Sequence, residues 1–346
     1  MRGRGRVDFG VRAAPRKILF TAPRVAGLPP RTNEVDVLLS LIACFATSPY
    51  GEDVIPLEED LRINLPTDPA AAKTASDPDA DWATFYVMTR NVTEDVNGMI
   101  GFVLGTVGFV VTLRPTWVDE EANTAMWGPY SDSGLDPVET GLFVTKNEDA
   151  SYTWTLFQEP PGSDPMVDAV PVAVGEVDPG SRRRDGTGRF LVDFDTAASL
   201  DPAVNLVGTF AVEYDYDRDG VGAIASFAEY GVPNLPKINA QYAYEQAYDG
   251  AGSMDLAWAE DFTADGVADT GTMRSRWESD GEGRSDARII DAAEGREVTA
   301  SECWDHTFAR VYWTDSAALN PNEGTSDACV YSDAEYATDA SFDSVD

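Results

Sequence analysis

Two hydrophobic rhythms divide this chain. Between Asp81 and Leu113, Trp82, Phe85, Tyr86, Met88, Val92, Val96, Met99, Val103, Val107 and Val110 recur at three- and four-residue spacing, the period of one helix face. Pro115 ends that pattern. From about Thr124 the period drops to two. Tyr152, Trp154 and Leu156 alternate with polar residues, as do Phe190, Val192 and Phe194, and then Phe210, Val212 and Tyr214. Shorter runs follow at Ala223–Phe227, Ile238–Tyr244, Met254–Trp258, Thr272–Trp277, Ala287–Ile290 and Phe308–Trp313. Alternation of this kind marks half-buried strands. Asp-Gly pairs at Asp185, Asp219, Asp249, Asp265 and Asp280 supply turn positions, mostly between these runs. The pattern predicts a mainly β fold: an antiparallel up-and-down meander of roughly ten to twelve strands, closed as a barrel or left as a half-barrel, with one long helix packed on or in it. A β-sandwich is the alternative.

The helix carries its own puzzle. No charge occurs from Val96 to Leu113, and Gly98, Gly101, Gly105 and Gly108 share one face. The expectation is a buried helix whose glycines admit a strand backbone. A membrane span, with Gly101-x-x-x-Gly105 as a packing motif, is an alternative. So are two short helices broken at the glycines.

The flanks divide the chain further. Residues 1–43 read as a leader, 44–80 as an acidic, Pro-rich tether, 81–332 as the helix-plus-meander domain and 333–346 as an acidic, frayed tail. In the leader, the apolar run Val37–Ala43 is short and has Glu34 and Asp36 against it, so a misassigned start site is an alternative reading.

Charge sharpens this division. The 346 residues hold 60 acidic and 25 basic side chains, a net charge of −35. Residues 1–31 run the other way at +7, leaving −42 for the rest. So acidic a body repels phosphate backbones and argues against a nucleic-acid partner. Of three cysteines, Cys44 stands alone, while Cys303 and Cys329 lie close enough in sequence to pair as a disulfide in an exported protein.

Catalytic chemistry is sparse. The one histidine, His306, has no Gly-x-Ser-x-Gly partner motif, and the phosphate-cradling Gly-x-x-x-x-Gly-Lys-Ser/Thr is absent. The domain therefore reads as non-catalytic, with an exported hydrolase using acidic residues as an alternative. Asp215, Asp217 and Asp219, followed by Gly220, match the first half of a calcium loop, but the twelfth position is Ser226 rather than Glu. They are weak calcium ligands in this reading, compatible with a calcium-dependent surface adhesin, or else a plain hairpin turn. Trp154, Trp258, Trp277 and Trp313 lie in the strand runs. They either line a cavity for a hydrophobic small molecule or fill the core. Arg182, Arg183 and Arg184 precede the turn at Asp185, as an anion-contacting cluster or a solvated hairpin tip.

Leu41-Ile42-Ala43-Cys44 has the form of a bacterial lipobox: an aliphatic residue, a tolerant position, a small residue, then Cys. Together with the acidic tether, the helix around Val92-Thr-Glu-Asp-Val-Asn-Gly, Trp127-Gly-Pro-Tyr, the meander and the late cysteine pair, it makes the chain resemble exported bacterial lipoproteins. That resemblance implies lipid attachment at Cys44, a membrane partner, and residence in the cell envelope at the outer membrane; a secreted soluble form is the alternative. The architecture is also similar to half-barrel lipoproteins that shelter acyl chains against a helix, which concerns fold alone.

Overall fold

The computed structural model describes residues 55–56, 58–65, 82–131, 133–180, 185–262 and 266–337. Cys44 and Arg182–Arg184 lie outside them. Among the described residues fourteen strands form one antiparallel sheet in strict sequence order. They are β1 (Trp117–Asp119), β2 (Thr124–Tyr130), β3 (Glu139–Lys146), β4 (Tyr152–Glu159), β5 (Val170–Pro179), β6 (Gly186–Asp193) and β7 (Val207–Tyr216). They continue as β8 (Gly220–Gly231), β9 (Ile238–Ala247), β10 (Gly252–Glu260), β11 (Asp269–Trp277), β12 (Gly283–Ile290), β13 (Glu297–Trp304) and β14 (Arg310–Asp315). The edges β1 and β14 do not pair with each other, so the meander is an open one. Helices are α1 (Glu58–Leu61), α2 (Thr84–Thr112), α3 (Pro165–Asp168) and α4 (Phe194–Leu200).

The expected meander and long helix are both present. The strand number exceeds the expected range because β2, β3, β5 and β13 alternate poorly. β5 opens on Val170-Pro171, and the interior of β13 is Thr-Ala-Ser-Glu. At the hairpin tips Gly250, Gly266 and Gly281 adopt φ of 100°, 87° and 98°, which is why Asp-Gly recurs there.

One face of the sheet is covered by α2, about 43 Å long at the standard rise. The helix crosses the sheet from edge to edge. Phe85 packs on Trp313 of β14 and Tyr86 stacks on Phe308 at 4.3 Å. Within the second turn Thr89 Oγ1 meets Ser275 Oγ of β11 at 2.7 Å, and at the far end Trp127 of β2 donates its indole N–H to Leu113 O at 2.9 Å. Glu302 of β13 takes the first helical N–H groups, Thr84 N at 2.9 Å and Phe85 N. Ala83, at the N-cap position, makes no side-chain cap.

The core is built from a recurring pair. Trp154 faces Gly175, Trp258 faces Gly271, Trp304 faces Gly283 and Trp277 faces Gly252, each directly across a strand boundary. A Cβ on any of these glycines would overlap the facing indole. The glycine lets each ring lie flat on the neighbouring strand, under the helix, where all four tryptophans are almost fully buried.

The helix glycines do something other than expected. Gly98 and Gly105 are exposed, and a Cβ on Gly105 would meet open space. The sheet instead receives Val92, Val96, Met99, Leu104, Val107 and Val111. The glycine stripe faces away because these larger aliphatic residues fill the space above the tryptophans and win the buried side.

Candidate functional site

The four tryptophans expected to line a cavity are buried in the core. Trp154, Trp258, Trp277 and Trp313 are all at most 4% exposed, packed beneath α2, and none borders either cavity described below. Cys303 and Cys329 form a disulfide, with Cα atoms 5.6 Å apart. His306 sits on the exposed turn after β13, its Nδ1 3.9 Å from Glu282 Oε1. Asp215 ends the outward row of β7. Asp217 turns its carboxylate onto its own hairpin, accepting from Asp219 N at 2.7 Å and Gly220 N at 3.2 Å. Among the described residues no group of three His, Cys, Asp or Glu side chains is gathered as a metal-ligand set.

The hollow lies on the opposite face. A cavity of about 1240 Å³ runs along the turn-end of the strands, from Asp149 and Ser151 in the β3–β4 hairpin to Arg274 and Arg276 on β11. Its walls are the outward residues of the intervening strands, among them Glu176, Thr187, Arg189, Glu213, Asp215, Glu245 and Ser253. The lining is predominantly acidic. Arg189 bridges to Glu176 at 2.8 Å across β5 and β6, an exposed pair of small energetic weight. Asp149 is held below the usual carboxylate range by the Ser151 hydroxyl and N–H. A smaller depression of about 440 Å³ adjoins it, with Val174, Leu191, Ala211 and Ile224 as an apolar floor and Thr153, Ser226 and Gln241 around it.

One end of the trough is finished by the C-terminal segment. Tyr331 lines the cavity and lies under the Arg276 guanidinium at 4.7 Å. Arg284 donates to Tyr331 O at 3.0 Å and Ser332 O at 2.9 Å, Arg276 to Asp333 O at 2.9 Å, and Glu335 N donates to Asp286 at 3.0 Å. Ala337 is buried. Residues 333–337, expected to fray, are therefore strapped to the sheet by arginines of β11 and β12. Residues 338–346 lie outside the described ones. Burial, reinforced by Glu278, pushes the Tyr331 hydroxyl up to about 12, so it stays neutral.

No known protein family, characterised protein or solved structure matches this chain. The titratable lining of the trough consists of carboxylates, arginines and tyrosines, and its hydroxyl–carboxylate contact, Ser151 Oγ to Asp149 Oδ1 at 2.7 Å, closes a hairpin turn. The signal for it was the outward row of β5 to β9, where Glu176, Arg189, Glu213 and Glu245 form a polar stripe interrupted by exposed Val174 and Ile224.

A second carboxylate cluster sits at the other end of the strands. Glu159 is fully buried, and among the described residues neither of its oxygens has a hydrogen-bond partner. Burial, with Glu139, Asp168 and Asp164 nearby, raises its pKa. A carboxyl whose pKa is higher folded than unfolded stabilises the fold below its unfolded pKa and loses that contribution as pH rises through the folded one. Asp95, Asp255, Glu260 and Glu302 shift the same way, each first through burial. Unfolding midpoints should therefore rise as pH falls from 7 to about 5. Glu159→Gln should stabilise the protein at pH 7 by about 1–2 kcal/mol and flatten that pH dependence. Urea titrations at pH 7 and pH 5 test both; an unchanged slope would remove Glu159 from the account.

Proposed function

We propose that this protein is an exported lipoprotein, held at the outer membrane through Cys44, whose β domain is non-catalytic and serves as an envelope scaffold or binding module. The observation that carries the reading is the Cys303–Cys329 disulfide. Paired cysteines persist in oxidising compartments. This pair leaves Cys44 as the one cysteine to carry a lipid. The burial of Trp154, Trp258, Trp277 and Trp313 in the core supports a scaffold, and a small ligand is best accommodated on the outer face. There the apolar floor of the 440 Å³ depression has the size and lining of a small-molecule site. Expressed in its own host, the native chain should fractionate with membranes and enter the detergent phase, and the Cys44→Ala chain should not. Identical fractionation of the two would overturn the anchor.

A further inference from the structure

The solvent side of α2 changes character half-way along. Its first half exposes Asn91 and Glu94, the latter paired with Arg90 at 2.9 Å. Its second half exposes Phe102 (73%), Gly105, Thr106 and Phe109 (44%), with no charge between Val96 and Leu113. Just beyond it, Trp117 and Val118 of β1 are also exposed. Large aromatic side chains grouped on one face of a soluble domain mark a contact surface.

The chain itself says where this face lies. Ile55 Cγ2 lies 3.9 Å from where a Cβ on Gly108 would be, so the chain passes this helix half at Ile55. Cys44 stands eleven residues earlier. Eleven residues reach at most about 36–40 Å, so Cys44 stays within that distance of Ile55, which lies against Gly108. We propose that the Phe102–Phe109 face of α2 rests on the bilayer that holds the acyl chains of Cys44, with Trp117 at the interface. The proposal builds on the anchoring reading and adds a second contact. Acyl chains tether a domain without orienting it, and an apolar protein face beside them adds a second contact that seats it. Asp119, Glu120 and Glu121 border the face, and the chain carries −35, so the surface recognised is zwitterionic rather than anionic.

The test uses the full chain with Cys44→Ala, so that attachment through Cys44 plays no part. With Cys303 and Cys329 disulfide-bonded, a cysteine introduced by Phe102→Cys is the one free thiol for an environment-sensitive fluorophore; Glu213→Cys, on the outer face, is the control. Phosphatidylcholine vesicles should shift the emission of the Phe102→Cys label to the blue and leave the control unmoved, and added phosphatidylglycerol should weaken the shift. Phe102→Asp with Phe109→Asp should lower the vesicle-bound fraction roughly tenfold. Three results would overturn the proposal: no shift with vesicles, a shift that appears with protein concentration alone (a second copy covering the face), or a shift already present in dilute protein without lipid (the chain's own N-terminal residues covering it). Because this chain lacks Cys44, its outcome is independent of the fractionation experiment, so the seating and the anchor can fail separately.

Discussion

Glu302→Ala should lower the unfolding free energy by about 3–5 kcal/mol, the largest effect expected of any single side chain here. Glu302 is fully buried on β13, yet its two oxygens serve three donors. Oε1 accepts from Thr84 N at 2.9 Å and from Arg310 Nε at 2.5 Å, and Oε2 accepts from Phe85 N. The Thr84 and Phe85 amides are among the orphan donors of the helix N-terminus, where a negative charge also meets the positive end of the helix dipole. Burial pushes the Glu302 carboxyl up, opposed by the Phe85 N–H and the Arg310 guanidinium. Alanine removes the Glu302 acceptor from two helix amides and takes the 2.5 Å carboxylate from a partly buried Arg310. Urea denaturation followed by tryptophan fluorescence should show the loss. Glu302→Gln, which keeps an acceptor but not the charge, should fall between alanine and the native chain. Equal stability of all three would mean that the first turn of α2 is held by packing on Trp313 and Phe308 instead.

This contact also shows where sequence reading stops. The period of three and four from Trp82 to Val110 made α2 legible, because a helix declares its buried face locally. Its start was misplaced near Asp81: the chain offers no side-chain cap at Ala83, and the cap arrives from Glu302, 218 residues away. The meander was legible for the same reason as the helix. Period-two runs joined by Asp-Gly turns leave few topologies, and sequential antiparallel pairing is the simplest. The tryptophans were found as strand residues, but their inward direction was not. Trp154, Trp258 and Trp277 each face a glycine on a neighbouring strand and Trp313 faces Glu302, pairings visible only once register is known. The direction of the helix glycines depended on competition between faces, which a one-dimensional spacing cannot weigh. The trough was missed because polar outward positions look alike whether a sheet is flat or hollowed.

Removing the disulfide, with Cys303→Ser and Cys329→Ser together, should lower stability by about 3.5 kcal/mol and the melting temperature by roughly 5–10 °C. The first figure follows from loop closure across a sequence separation of 26. The consequence should be local as well as global. Cys303 sits on the outer face of β13, paired in register with Arg284 of β12, and its bond to Cys329 delivers Tyr331 and Ser332 to that arginine. Arg284 is 3% exposed and its other partner is Asp286, held at 2.9 Å. Without the strap, Arg284 loses two carbonyl acceptors, Asp286 loses the Glu335 N–H, and Arg276 loses both the Tyr331 ring and Glu335. Buried charges so deprived must admit water, so the outer layer of β11 to β13 should loosen while the tryptophan-lined side, clamped by Glu302 and Trp127, stays closed. Hydrogen exchange should therefore rise more at residues 329–337 and along β12 than at the α2 amides, which gain only the global increment. If exchange rose equally in α2 and β12, the sheet would be unfolding as one unit and the strap would be a staple for the whole domain. If it rose nowhere, the arginine contacts alone would suffice to hold residues 329–337 in place.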